Sequence, residues 1–137
     1  MSGVVSQERT GWRDQHISQE HRQWGFDCPA LDIDFLMLEY DTGKAIGLAE
    51  YKHENAAPLN ASHPSIRAIR DLAVRADIPA FVCRYADDMS WWYPTPLNGQ
   101  AKAFLPEARH LSKREWVELL YRLRGRKLPS EWSGQPV

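Results

Sequence analysis

The sequence lacks long apolar runs and has few cysteines. No stretch of about 18 apolar residues occurs, so a helix that spans a membrane is not expected. The first ten residues have no basic segment followed by an apolar one, so we expect no secretory signal. The two cysteines, Cys28 and Cys83, are too few for a disulfide framework or a four-cysteine zinc site. These absences predict a cytoplasmic protein with free thiols and no membrane partner.

Internal repeats and low-complexity tracts are also missing. The 137 residues are 43% hydrophobic and 26% charged, which is typical of a soluble globular domain. A chain of this length can bury a core of its own. We therefore predict a single domain over residues 1–128, followed by a loose tail over residues 129–137.

The net charge of −1 conceals an uneven distribution along the chain. Residues 1–60 carry five Lys and Arg against ten Asp and Glu, whereas residues 100–127 carry eight against three. An acidic part beside a basic part suits a protein that binds cations at one place and anions at another. Two ordinary solvated surfaces would give the same counts, so charge alone does not decide between these interpretations.

The apolar pattern predicts both helices and strands. The first expected helix covers 7–24 and ends at Gly25, and strand-like runs follow over 28–40 and 45–52. A second helix is expected over 64–75, followed by strands over 80–85 and from 91. The last helix begins at a capping box of Ser112 and Glu115 and ends at Gly125. The strand–helix–strand step over 45–85 predicts a right-handed parallel crossover. The predicted fold class is therefore α/β, with a mixed β-sheet that contains an antiparallel hairpin and a parallel crossover and is flanked by helices.

The turn between the first two strand-like runs sets their pairing. We expect a three-residue loop over 41–43, in which Gly43 takes the left-handed conformation. This loop pairs Tyr40 with Lys44. The register then brings eight side chains to one face of the sheet in opposite pairs, which are Asp34 with Glu50, Asp32 with Lys52, Leu36 with Leu48, and Leu38 with Ile46. A two-residue loop would instead move Asp34 to the opposite face.

Opposed carboxylates on neighbouring strands indicate a cation between them. Paired Cβ atoms lie about 5 Å apart, and like charges at that distance destabilise a sheet unless a cation separates them. Mg²⁺ prefers carboxylate and carbonyl oxygens. Lys52, two residues after Glu50 on the same face, would stabilise developing negative charge or hold a nucleophilic water. Asp34, Glu50 and Lys52 therefore supply the groups that metal-assisted phosphodiester hydrolysis needs.

Asp34, followed across a hairpin by Glu50-Tyr51-Lys52, resembles the signature of the PD-(D/E)XK nucleases. The predicted order of elements over residues 15–85 resembles the restriction-endonuclease-like core of that superfamily. The resemblance implies that Asp34 and Glu50 bind Mg²⁺ or Mn²⁺, with the Tyr51 carbonyl as a further ligand. It also implies that Lys52 assists the attacking water.

The resemblance extends to one further acid and fails at one proline. Glu20, near the end of the first helix, matches a position where many members carry another acid, although a solvated helix face would explain it equally well. Pro29 does not directly precede either candidate aspartate. Asp32 and Asp34 therefore compete for the role of primary metal ligand, and the register favours Asp34.

The function implied by the resemblance is that of a metal-dependent endonuclease acting on DNA. The small size resembles phage or bacterial members that act in DNA repair, recombination or junction resolution, and it is compatible with a homodimer. The alternative is a non-catalytic module that binds nucleic acid or protein. The candidates for phosphate contact are four basic residues that would also complement the end of the last helix, namely Arg122, Arg124, Arg126 and Lys127.

Overall fold

The computed structural model describes residues 33–132, together with Ile17, Gln19, Glu20, Gln23, Trp24 and Leu31. The chain divides into two compact units, Met1–Asp32 and Ile33–Val137. The helix predicted over 7–24 falls in the N-terminal unit. Its described residues include four that are helical, which are Ile17, Gln19, Glu20 and Gln23. Cys28, Pro29 and Asp32 lie outside the described residues. The single domain over 1–128 stays a prediction.

The C-terminal unit contains a four-stranded sheet flanked by helices. Its elements in chain order are β1 (Phe35–Glu39), β2 (Lys44–His53), α1 (Pro64–Ala76), β3 (Ala80–Tyr85), β4 (Trp92–Pro96), α2 (Gly99–Lys102) and α3 (Lys113–Leu123). The strand order is β1-β2-β3-β4, with β2 and β3 parallel and the other neighbours antiparallel. The predicted α/β class, with a hairpin and a parallel crossover in one mixed sheet, is confirmed. Within the described residues no helix is long and apolar enough to cross a membrane.

The turn of the β1–β2 hairpin differs from the predicted one. Glu39, rather than Tyr40, pairs with Lys44, so the loop has four residues instead of three. Gly43 has φ 69°, the left-handed conformation expected of it. The Gly43 N–H donates to the Glu39 carbonyl at 2.8 Å, and this bond closes the longer loop.

A β-bulge restores the predicted register away from the turn. Leu38 pairs with Ala45 rather than with Ile46, which becomes an extra residue of β2. Beyond the bulge, Leu36 pairs with Leu48, as predicted. The longer loop and the bulge compensate each other, so the start of β1 meets β2 in the expected register.

Two hydrophobic clusters pack on opposite faces of the sheet. Alternate residues of the strands point to opposite faces, and the α1 face carries the buried cluster of Leu48, Ile66, Ile69, Ala73, Ala80, Val82 and Leu97. The α3 face carries the buried cluster of Phe81, Cys83, Ala101, Leu105, Leu111, Trp116 and Leu119. The even-numbered positions from Leu48 to Lys52 therefore point to the α1 face, and Tyr51 points to the α3 face.

The ends of α3 have the signals that the sequence predicts. The Ser112 side chain accepts from the Glu115 N–H at 3.1 Å, and the Ser112 N–H donates to the Glu115 carboxylate at 2.8 Å. This capping box opens the helix. Gly125 ends it at φ 71°, and its N–H donates to the Arg122 carbonyl at 2.9 Å. After the helix, Trp132 contacts α3, because its carbonyl accepts from Arg114 Nη1 at 3.0 Å.

Candidate functional site

The acids Asp34 and Glu50 are in contact at the open end of the hairpin. Asp34 lies one residue before β1, and its N–H donates to Glu50 Oε2 at 3.3 Å. The Tyr51 N–H in turn donates to Asp34 Oδ2 at 3.3 Å. Both distances are slightly longer than ordinary N–H···O bonds, so each contact is weak. The register of β1 on β2 nevertheless brings these two carboxylates together.

Glu50 is a half-buried acid on the α1 face of β2. Its pKa is raised to about 7, first by burial and then by the Asp34 side chain, which acts through a hydrogen bond and through its negative charge. The Asp34 N–H and the charge of Lys52 act in the opposite direction. In the metal-free protein at neutral pH, Glu50 is therefore partly protonated beside Asp34.

The backbone of Tyr51 contributes an oxygen at the same edge. The N–H and C=O groups of one strand residue point to the same side, and the Tyr51 N–H points towards Asp34. β1 begins at Phe35, which pairs with Ala49, so Tyr51 lies past the end of the β1 ladder. The Tyr51 carbonyl is thus placed on the edge where Asp34 approaches, outside the β1 ladder.

The side chain of Tyr51 packs on the α3 face in a cluster of aromatic rings. Its ring centroid lies 5.0 Å from that of Phe35, 6.1 Å from that of Trp92 and 6.2 Å from that of Trp116. Trp116 Nε1 donates to the Tyr51 hydroxyl at 3.1 Å. Burial raises the pKa of Tyr51 to about 12, so the hydroxyl keeps its proton. These contacts anchor the one residue that separates Glu50 from Lys52.

Lys52 lies on the same face as Glu50, two residues further along β2. Its side chain is half-buried, and its charge lowers the pKa of Glu50, which places the ammonium within electrostatic reach of that acid. Within residues 33–132, no carboxylate forms an ion pair with it. Asp32, the partner that the register predicts, lies outside the described residues.

Arg84 fixes the segment that follows β2. It is the β3 partner of Lys52. Its guanidinium donates to four backbone carbonyls at 2.8 to 3.3 Å, those of His53, Glu54, Ala56 and Ala57. Such a set of bonds holds the chain after Lys52 against β3. Sequence reasoning did not single out Arg84, because the carbonyls it contacts leave no side-chain pattern.

Glu20 belongs to the N-terminal unit, where it is an exposed helical residue. Its role in the site stays a prediction. In the described part of the chain, no group of three or more His, Cys, Asp or Glu side chains is arranged to hold a metal ion. At the candidate site, the side-chain oxygen donors are those of Asp34 and Glu50, with the Tyr51 carbonyl as the backbone donor beside them.

Three of the four basic residues near the end of α3 make contacts within the protein. Arg124 donates to the Leu38 carbonyl at 3.0 Å, and Arg126 forms ion pairs with Glu39 and with Asp41. Arg122 lies over the ring of Phe104 at 5.7 Å and donates to the Phe104 carbonyl at 3.5 Å, and Lys127 is exposed. Arg124 and Arg126 thus connect the end of α3 to β1 and its turn. Phosphate binding by the four stays a prediction.

Comparisons with protein-family models, with curated proteins and with solved structures find no match for this chain.

Proposed function

We propose that this protein is a metal-dependent nuclease that hydrolyses phosphodiester bonds, with DNA as its substrate. The observation that carries the proposal is the contact between Asp34 and Glu50 at the end of the hairpin, with Lys52 on the same face and without an ion-pair partner among the described residues. The proposal agrees with the resemblance of Asp34 and Glu50-Tyr51-Lys52 to the PD-(D/E)XK signature.

The oxygen donors of this edge fit a hard divalent cation. Two adjacent carboxylates repel each other, and the raised pKa of Glu50 reflects that repulsion together with burial. Mg²⁺ and Mn²⁺ favour carboxylate and carbonyl oxygens, so Asp34, Glu50 and the Tyr51 carbonyl would hold the ion. When bound, such an ion supplies Lewis-acid stabilisation of the phosphate and lowers the pKa of water.

The protein's own groups have separate roles in this proposal. Asp34 and Glu50 bind the cation in their ionised forms, so metal binding releases the proton that Glu50 holds near neutral pH. The Lys52 ammonium donates to a phosphate oxygen or orients the attacking water, because it has no competing carboxylate among the described residues. Among the four basic residues near the end of α3, Arg122 and Lys127 are proposed as phosphate contacts, because Arg124 and Arg126 bind the hairpin.

Cleavage assays on a panel of nucleic acids test the proposal. Linear duplex, single-stranded and branched DNA, and the matching RNA, are incubated with the protein in Mg²⁺, Mn²⁺ or EDTA. We expect cleavage in the metal ions and none in EDTA. A thermal shift with Mn²⁺, measured without nucleic acid, checks metal binding independently.

Asp34→Asn and Glu50→Gln should each reduce turnover on the order of 100-fold or more, because each removes a charged ligand while keeping the shape of the side chain. Both variants should remain folded, as measured by circular dichroism and thermal unfolding. Glu118→Gln, at an exposed acid on α3, is the matched control and should behave like the wild type. Near-normal turnover of either site variant in Mg²⁺ would show that the site assignment is wrong.

A further inference from the structure

A cleft of about 250 Å³ lies on the α1 face of the sheet, beside the candidate site. Its lining residues come from the segment after β2 and from β3 and β4, and they are Pro58, Leu59, Val82, Arg84, Tyr93 and Thr95. We call it the β4 cleft.

The strand register places the β4 cleft next to the site. Val82 is the β3 partner of Glu50, and Thr95 is the β4 partner of Val82. Paired residues point to the same face, and neighbouring strands lie about 4.8 Å apart. Glu50, Val82 and Thr95 therefore form one row across the α1 face, and Lys52, Arg84 and Tyr93 form the next. The cleft begins one strand away from the acids.

The volume of the β4 cleft suits a single planar ring. Pockets for drug-sized ligands usually enclose about 300 to 1,000 Å³, so this cleft is smaller than most of them. Pro58, Leu59 and Val82 give it apolar walls, and Tyr93 gives it an aromatic ring. These are surfaces on which a nucleobase packs and stacks.

Polar groups of the β4 cleft are suited to the edge of such a ring. Thr95 is half-buried, and its hydroxyl makes no hydrogen bond with another residue of the range 33–132. The Arg84 guanidinium is held by four carbonyls, so it forms a rigid cationic wall rather than a mobile phosphate ligand. The ring of Tyr93 packs against the ring of His110, and the two centroids lie 4.7 Å apart.

We propose that the β4 cleft receives one unpaired base of the substrate, next to the phosphate that Asp34, Glu50 and Lys52 act on. The inference rests on the proposed nuclease function and specifies its substrate class. A base within a duplex must first be unstacked and unpaired, and this cost is least for a base that is already unpaired, so the cleft favours a base from a single strand, a bulge or a flap. The protein therefore acts on nucleic acid that has an unpaired nucleotide at the cleavage position.

Binding in EDTA tests the base-binding role without any cleavage. The probe is 2-aminopurine, placed in a DNA duplex either as a single unpaired nucleotide or opposite thymine. We expect tighter binding of the unpaired probe, with a fall in fluorescence as the base stacks in the cleft. Tyr93→Leu should weaken binding of the unpaired probe about tenfold or more and change binding of the paired probe little, because stacking on the ring is lost.

Two further variants and a control separate base binding from an effect on folding. Tyr93→Phe keeps the ring and should bind the unpaired probe like the wild type. Thr95→Val keeps the shape of the strand and should weaken that binding about threefold, because it removes a hydrogen bond. Tyr121→Leu removes a half-buried tyrosine from α3 and should leave the preference for the unpaired probe unchanged. Thermal unfolding of each variant gives the fraction folded.

The outcomes for the β4 cleft and for the nuclease are distinguishable. Equal binding of the two probes would overturn the base-binding role. The role would also be overturned if Thr95→Val and a folded Tyr93→Leu variant both kept the preference for the unpaired probe. Metal-dependent cleavage that ignores unpaired nucleotides would overturn the base-binding role and leave the nuclease intact. Preferential binding without cleavage in any metal would overturn the nuclease and leave a base-binding cleft.

Discussion

Glu50 illustrates how burial and one neighbour act on a single carboxyl group. Half-burial removes part of its hydration, and Asp34 adds a second negative charge beside it, so its pKa rises to about 7. A protonated Glu50 relieves the repulsion in the metal-free protein. A bound divalent cation would relieve it in the ionised state. A proton and a metal ion would therefore compete for the Glu50 carboxylate near neutral pH.

Glu50→Gln should stabilise the metal-free protein at alkaline pH. The pKa of Glu50 in the folded protein, about 7, is above the ordinary 4.5, so the folded state binds more protons between these values. Raising the pH through this range therefore lowers the stability of the wild type relative to the variant. Because solvent screens a half-exposed carboxyl, we expect a difference on the order of 1 kcal/mol at pH 8 and almost none at pH 4.5.

Urea unfolding in EDTA at the two pH values measures this difference. The glutamine keeps an oxygen that accepts from the Asp34 N–H, so the contact geometry is preserved. Glu118→Gln is again the control and should show no dependence of its effect on pH. A Glu50→Gln effect of the same size at both pH values would contradict the assigned pKa.

Lys52→Ala should lose most of the nuclease activity and keep metal binding. The ammonium acts on water or phosphate in our proposal, and the metal ligands are the oxygens of Asp34, Glu50 and Tyr51. Calorimetry with Mn²⁺ and turnover on the same preparation measure the two properties separately. Lys44→Ala, at the exposed start of β2, is the matched control. Metal affinity that falls together with activity would contradict the separate roles.

At the scale of elements, alternate residues of β2 connect the site to two different layers. Glu50 and Lys52 point to the α1 face, whereas the half-buried Tyr51 packs among aromatic rings on the α3 face. The two-residue period of a strand predicts this alternation from sequence alone. The partners of Tyr51 were not predictable in the same way. Trp116, which donates to its hydroxyl, is 65 residues away along the chain, and no local pattern indicates such a contact.

The hairpin shows how far local turn rules determine a register. Gly43 correctly predicts a left-handed residue in the turn, but its position fits loops of three or four residues. The bulge at Ile46 offsets the extra loop residue, so Leu36 still meets Leu48. Of the two predicted leucine pairs of β1, Leu36 with Leu48 forms and Leu38 with Ile46 does not. Leu36 and Leu38 are 54% and 43% exposed, because β1 is an edge strand.

Asn98 joins two elements that sequence patterns treat separately. Its buried side chain accepts from the N–H of Ala101 in α2 at 2.9 Å and donates to the Ile78 carbonyl before β3 at 2.9 Å. Asn98→Ala should therefore lower the free energy of unfolding by about 2 to 3 kcal/mol, since it leaves buried backbone groups unsatisfied and removes a helix cap. Urea unfolding measures the change. Asn60→Ala changes an exposed asparagine and should lower the free energy of unfolding much less. Equal losses of stability in the two variants would contradict the role assigned to Asn98.

At the scale of the whole molecule, part of the charge asymmetry is neutralised within the fold. Arg126 pairs with Glu39 and Asp41, so basic charge from the end of α3 meets acidic charge from the hairpin. Counting charges along the sequence reveals the excess in each segment but not which charges face each other. Among the four basic residues near the end of α3, Arg122 and Lys127 make no hydrogen bond or ion pair with the described residues of β1, and they are the better probes of nucleic-acid binding.

The double variant Arg122→Ala/Lys127→Ala should weaken DNA binding irrespective of sequence. Removing one phosphate contact should reduce the slope of log affinity against log salt by about 0.9 on duplex DNA, so removing two should reduce it by about 1.8. Cleavage at saturating substrate should stay near the wild-type value, since neither residue contacts the acids of the site. Thermal unfolding should change little, because the contacts of Arg122 with Phe104 are exposed and its hydrogen bond there is long.

The matched control is the double variant Arg124→Ala/Arg126→Ala, which removes the contacts between α3 and the hairpin. We expect it to unfold at a lower temperature, because Glu39 and Asp41 lose their cation. Adding Arg122→Ala and Lys127→Ala to this variant should combine lower stability with a smaller salt slope, because the two pairs of residues act on different properties. Binding isotherms at several salt concentrations decide the question. If the slope of the quadruple variant equals that of the wild type, the four cations serve only to complement the end of α3 and to hold it to β1.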